Sequence, residues 1–147
     1  MEEMNQLKVF AVEEANRLIP RLAQLIQELQ AKRQAIMSLE VEIDAMELVI
    51  EKDPEGESGI LNAKVEEYNR AVSRFYAMID EVHESGCFLK DLELGLVDFY
   101  TLYQGRVVYL CWKMGEPEIS HWHEVGRGFT HRQPIEFDQK PEGESSG

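Results

Sequence analysis

The chain has 147 residues and 44% hydrophobic content, enough for one folded domain with its own core and too apolar for wholesale disorder. Its formal net charge of −13 argues against phosphate-backbone binding, which needs clustered Lys and Arg. No apolar run approaches the roughly 20 residues that cross a bilayer, and the N-terminus lacks a basic stretch followed by an apolar one. These features predict a soluble cytoplasmic protein with no direct nucleic-acid partner and no membrane association.

The first predicted element is helical. Apolar residues fall at Leu18, Leu22, Leu25, Leu29, Ile36, Leu39, Ile43, Met46 and Ile50, alternating by four and three with one break, at Lys32. That spacing is a heptad seam, and Lys32 can lay its stem on the seam with its ammonium in water. Pro20 is expected to kink this helix or to split a short helix from the long one. After a breaker-rich stretch, Leu61, Val65, Tyr68, Val72, Phe75, Ile79 and Val82 repeat the same alternation. The two series predict an antiparallel, coiled-coil-like hairpin over about residues 12–86, with Gly86 as its C-terminal stop. Between Glu40 and Glu57 eight acids face one base, Lys52. Glu51, Asp53, Glu55 and Glu57 then form a negative tip suited to a protein partner with a basic surface.

Periodicity changes from Val97 onward. Val97–Tyr103 and Arg106–Trp112 alternate with period two and are rich in β-formers, and Gln104-Gly105 between them suits a two-residue turn. The register follows by counting: Tyr103 opposite Arg106, Phe99 opposite Leu110, Asp98 opposite Cys111. One face then carries Val97, Phe99, Val108, Leu110 and Trp112 and should meet the helices. The other carries Asp98, Tyr100, Tyr109 and Cys111. Met114-Gly115-Glu116-Pro117 reads as a turn, with a third strand returning over Glu118 to Glu124. His121 and His123 share a face of that strand, and the loop length leaves open which one. Lys8-Val9-Phe10 could add an N-terminal strand, Gly126 to Ile135 should return irregularly over the sheet edge, and residues 137–147 read as a disordered acidic tail.

The chemistry-bearing residues concentrate in this second half. His121-x-His123 offers two imidazoles to one divalent ion, with Cys111, Asp98, Glu124 or His131 as further donors. No spacing in the chain selects a particular metal, and no other cofactor is indicated. Cys111 with a nearby His and Asp has the residue types of a nucleophile, but it sits in an apolar strand beside Trp112, where cysteines are usually core. Arg127 and Arg132 can bind an anion or pair with acids such as Asp98 or Glu116. With no export signal, Cys87 and Cys111 are expected to be reduced thiols.

Val12, Glu14-Ala15-Asn16, Leu18-Ile19-Pro20, Lys90-Asp91-Leu92, Gly95-Leu96-Val97-Asp98-Phe99, Leu110-Cys111-Trp112, Gly115-Glu116, Trp122-His123, Gly128-Phe129 and Arg132-Gln133-Pro134 together resemble the bacterial family called domain of unknown function 2203. The resemblance covers about residues 10–136 and implies a prokaryotic cytoplasmic protein with one domain. It carries no activity. The motif positions it marks are Asp98, Cys111, Trp112, Glu116, Trp122, His123 and Arg132. His121 falls where the family is more often aromatic, which weakens a two-histidine site.

The expectation is an α+β fold: one domain over 1–136, a long antiparallel helical hairpin at about 12–86, and a three- to four-stranded antiparallel sheet at about 87–136. For function, the sequence favours a non-catalytic interaction or regulatory module that presents its acidic tip to a partner. The competing reading is an enzyme, or a small-ligand or metal-binding protein, built on Asp98, Cys111, Glu116, His123 and Arg132. A pocket walled by those side chains would favour the second reading.

Overall fold

A computed structural model of the chain describes residues 8–52 and 58–136. Helix α1 spans Val12–Lys52 and helix α2 Ser58–Glu84. They are followed by strands β1 (Phe88–Asp91), β2 (Leu96–Tyr103), β3 (Arg106–Lys113), β4 (His121–His123) and β5 (Gln133–Pro134). The strands form one antiparallel sheet in the order β1-β2-β3-β4-β5. The fold is therefore α+β, with five strands where three or four were expected. The expected tip residues Asp53, Glu55 and Glu57 and the tail at 137–147 lie outside the described residues. Of the tip, only Glu51 is placed.

The described chain falls into two compact units. One combines the residues up to Ile26 with those from Val82 onward; the other is Gln27–Glu81. In the helical unit, Leu39 is buried while Ile36, Ile43, Met46, Leu61, Val65, Tyr68, Val72, Phe75 and Ile79 are half-buried, as expected where two helices share a seam. Polar ties cross between the helices: the Tyr68 hydroxyl donates to Glu40 at 3.0 Å and Lys64 pairs with Glu42 at 3.2 Å. Exposed pairs of this kind add little to stability, so the apolar seam is the main contribution.

In the sheet unit, α1 starts where Glu14 reaches back to accept the Ala11 N–H at 3.0 Å, which satisfies one of the amides a helix start leaves without a partner. Helix α1 runs through Pro20 without a break, so no short helix is split off there. Pro20 is exposed, so water can donate to the Asn16 carbonyl in place of the N–H that the ring lacks. Helix α2 ends as predicted: the Gly86 N–H bonds the His83 carbonyl at 3.0 Å with φ +101°, a conformation that favours glycine.

Strands β2 and β3 pair in the predicted register, including Tyr103 with Arg106, Phe99 with Leu110 and Asp98 with Cys111. Gln104 and Gly105 both take positive φ, at 53° and 77°, and so turn the chain with the twist a hairpin needs. One sheet face, Val97, Phe99, Val108, Leu110 and Trp112, is fully buried. Phe10 packs edge-on against Phe99 at 5.2 Å, and Leu22, Leu25, Ile26 and Val82 join the same unit's core. The expected N-terminal strand is a single bridge, Val9 to Tyr100, placed along the part of β2 that the short β1 leaves uncovered. The predicted return over Glu118 to Glu124 contracts to β4, because Ile119 departs to bond Asn16 Oδ1 of α1 at 2.7 Å. A short 3-10 turn, Phe129–His131, then leads into β5.

Candidate functional site

The sheet's second face carries the polar chemistry, and the register decides which residues meet there. β4 pairs with β3 through Tyr109–His123, Leu110–Trp122 and Cys111–His121, which puts both histidines on the face of Asp98 and Cys111. Phe88 of β1 sits opposite Asp98, and Lys90, at the bulge of β1, lies over the Tyr109 ring at 4.9 Å. Asp98, Cys111 and His123 are 3%, 1% and 2% exposed, and one ligand atom from each lies within 4.8 Å of the others. No other group of three such donors occurs among the described residues.

Hydrogen bonds orient this cluster. His123 Nδ1 lies 2.9 Å from the Glu124 carbonyl, which can only accept, so Nδ1 carries a proton. In the neutral ring, Nε2 then keeps its lone pair and faces Asp98 Oδ2 at 3.1 Å. An imidazole fixed through one nitrogen by a backbone carbonyl and offering the other is how proteins prepare a metal ligand. The Tyr109 ring lies 5.3 Å from His123 and stacks on Tyr100 at 5.0 Å, closing one side.

The electrostatics of the cluster are strained toward neutrality. Burial raises the Asp98 carboxyl pKa, opposed by His123, by a hydrogen bond from Cys111 and by Lys90. Burial and the Asp98 charge push the Cys111 thiol up to about 12, with Arg132 working the other way. Without a cation between them, Cys111 is held in its protonated thiol form. A divalent ion would reverse that, since a coordinating thiol is deprotonated.

Beside the cluster stands a second constellation. Arg132 grips Glu116 with two bonds of 3.2 and 2.9 Å, and its guanidinium lies over the Phe129 ring at 4.4 Å. Glu116 Oε1 also accepts the Lys113 N–H at 2.8 Å, and the Trp112 indole donates to the Glu116 carbonyl at 2.9 Å, so the predicted turn is braced from both sides. Burial works against ionisation of Glu116, but Arg132 and the Lys113 amide outweigh it and hold its pKa below the usual value.

The sequence candidates thus divide. Asp98, Cys111 and His123 converge; Glu116 and Arg132 pair with one another next to Cys111. Trp112 and Trp122 belong to the opposite face, Trp122 against Tyr103 at 5.0 Å. His121 bonds Ser120 at 3.0 Å and is not among the donors that converge with His123. Glu124 pairs with Arg106, and His131 is exposed beside Thr130. Both Cys87 and Cys111 are free thiols, as expected.

A pocket of about 320 Å³ opens over the cluster, walled also by Lys90, Leu96, Tyr109, Val125 and the Gly126–Phe129 loop. Sequence reasoning missed Lys90, whose placement depends on a four-residue strand with weak β signals. Gly126, at φ +94°, turns the loop at the pocket wall.

A profile of the uncharacterized conserved protein family DUF2203 matches residues 8–135. The chain belongs to that family. The match takes in both helices, all five strands and every member of the Asp98, Cys111 and His123 cluster, so the pocket lies wholly within the DUF2203 region. No curated protein and no solved structure matches the chain. No described helix is long and apolar enough to cross a membrane.

Proposed function

We propose that this DUF2203 protein binds a divalent transition-metal ion through Asp98, Cys111 and His123. The single observation carrying this reading is the convergence of three buried ligand atoms, one on an imidazole whose other nitrogen is held by a backbone carbonyl. A carboxylate, a thiolate and an imidazole suit zinc first and also cobalt, nickel or iron. Three protein ligands would leave the fourth tetrahedral position toward the pocket, the pattern of sites that polarise a bound molecule or activate water. The reaction class this supports is Lewis-acid chemistry on a small molecule.

The test is elemental analysis of protein purified without a histidine tag, followed by zinc titration of metal-stripped protein. Near one equivalent of metal is expected, with a melting temperature that climbs with free zinc by mass action. Cys111→Ser and His123→Ala should each abolish the stoichiometric metal. A stripped protein whose melting is indifferent to zinc, cobalt, nickel and iron would overturn the reading.

A further inference from the structure

The pocket that contains the cluster has a charge pattern at odds with the chain around it. The protein holds 28 acids against 15 bases, yet Asp98 is the only acid among the pocket-lining residues, while Lys90 and Arg127 both line it. Among the described residues, neither of these cations has a carboxylate within ion-pair distance. Lys90 is held by ring faces instead, with Nζ 4.9 Å from the centre of Tyr109 and 5.6 Å from that of Phe88. Arg132 beside them is neutralised by Glu116. Lys90 feels the Asp98 charge, but two cations against one carboxylate leave the lining of this pocket net positive within an acidic protein.

The metal reading sharpens that imbalance. A divalent ion held by the Asp98 carboxylate and the Cys111 thiolate is electrically neutral, so the occupied pocket would carry the two positive charges of Lys90 and Arg127. Apolar walls, Leu96, Val125 and Phe129, stand beside those charges. The volume, about 320 Å³, is at the small end of ligand sites, where a metabolite fits and a polymer does not.

Resting on that metal reading, we infer that the pocket binds a small organic anion. Its oxygen-rich head, a carboxylate or a phosphate, takes the open metal position between Lys90 and Arg127, and its apolar body lies on Leu96, Val125 and Phe129. The anion is the substrate or effector of the metal centre. Lys90 and Arg127 determine specificity by charge and are not ligands.

The experiment uses the full chain loaded with one equivalent of cobalt(II) and freed of excess metal. Thiolate-to-cobalt charge transfer reports the metal, and the visible ligand-field bands report the open position. Acetate, inorganic phosphate and neutral imidazole are titrated separately. All three probes are expected to shift the visible bands, and whichever of acetate and phosphate binds more tightly identifies the head group. The Lys90→Gln/Arg127→Gln double variant should keep the charge-transfer band and imidazole affinity while losing about tenfold or more in anion affinity, a change of about 1.4 kcal/mol. Cobalt bound normally with no response to either anion, or equal anion affinity in the double variant, overturns the inference and leaves the metal reading standing. Absence of the charge-transfer band ends both.

Discussion

Burial raises the Asp98 pKa above 3.8, the ordinary value, so the metal-free folded chain holds that proton more tightly than the unfolded one. Stability from this residue is therefore full below pH 3.8 and is lost as pH rises through the folded value. Once ionised, the buried carboxylate is a liability that His123 partly offsets. Asparagine keeps the shape, can donate to His123 Nε2 and can accept from the Cys111 thiol, without a charge to bury. Asp98→Asn should thus raise the melting temperature of stripped protein at neutral pH and flatten the loss of stability as pH rises above 3.8. The same variant should lose the gain in melting temperature from added zinc. Thermal melts of both proteins with and without metal check all three outcomes. A less stable stripped variant would show that the carboxylate serves packing and not ligation.

Among the elements, the ones readable in the sequence were those whose signal is local. Gln104-Gly105 and two alternating runs determine the β2–β3 hairpin and its register, because turn geometry leaves one pairing. The helical seams are as local, and Leu39 is buried where the seam predicts it. Strand β1 is not local: Phe88-Leu89-Lys90-Asp91 is short, half polar and bulged, and becomes a strand only by pairing with Leu96–Asp98. The same holds for His121 and His123, whose face depends on Ile119 docking to Asn16 across 103 positions of sequence. Pro20 does not split α1, since its exposure softens a local rule. A consequence concerns the helical unit. Leu39→Ala should cost about 2 to 5 kcal/mol, the range for truncating a buried leucine. Val41→Ala, at 68% exposure, should change stability by less than about 0.5 kcal/mol. Urea denaturation of both variants decides it, and equal effects would mean that the seam is not the source of the hairpin's stability.

For the whole molecule, the division into two compact units separates the candidate chemistry from the helical unit. Every ligand, pocket wall and bracing pair lies in the unit formed by the residues up to Ile26 and from Val82 onward. Gln27–Glu81 contributes none of them. A ligand that binds only the folded state stabilises by mass action, by about 2.7 kcal/mol at a free concentration one hundred times its Kd. That stabilisation reaches only amides whose exchange requires opening of the unit that holds the ligand. Saturating zinc should therefore slow hydrogen exchange across β2, β3 and β4 by about a hundredfold, while amides between Gln27 and Glu81 that open locally keep their metal-free rates. The measurement is hydrogen exchange resolved by peptide, at one pH, with stripped and zinc-loaded protein side by side. An equal slowing along the hairpin would show that the units open together, and the hairpin would then be energetically part of the metal centre. No slowing in β2, β3 or β4 would remove the centre itself.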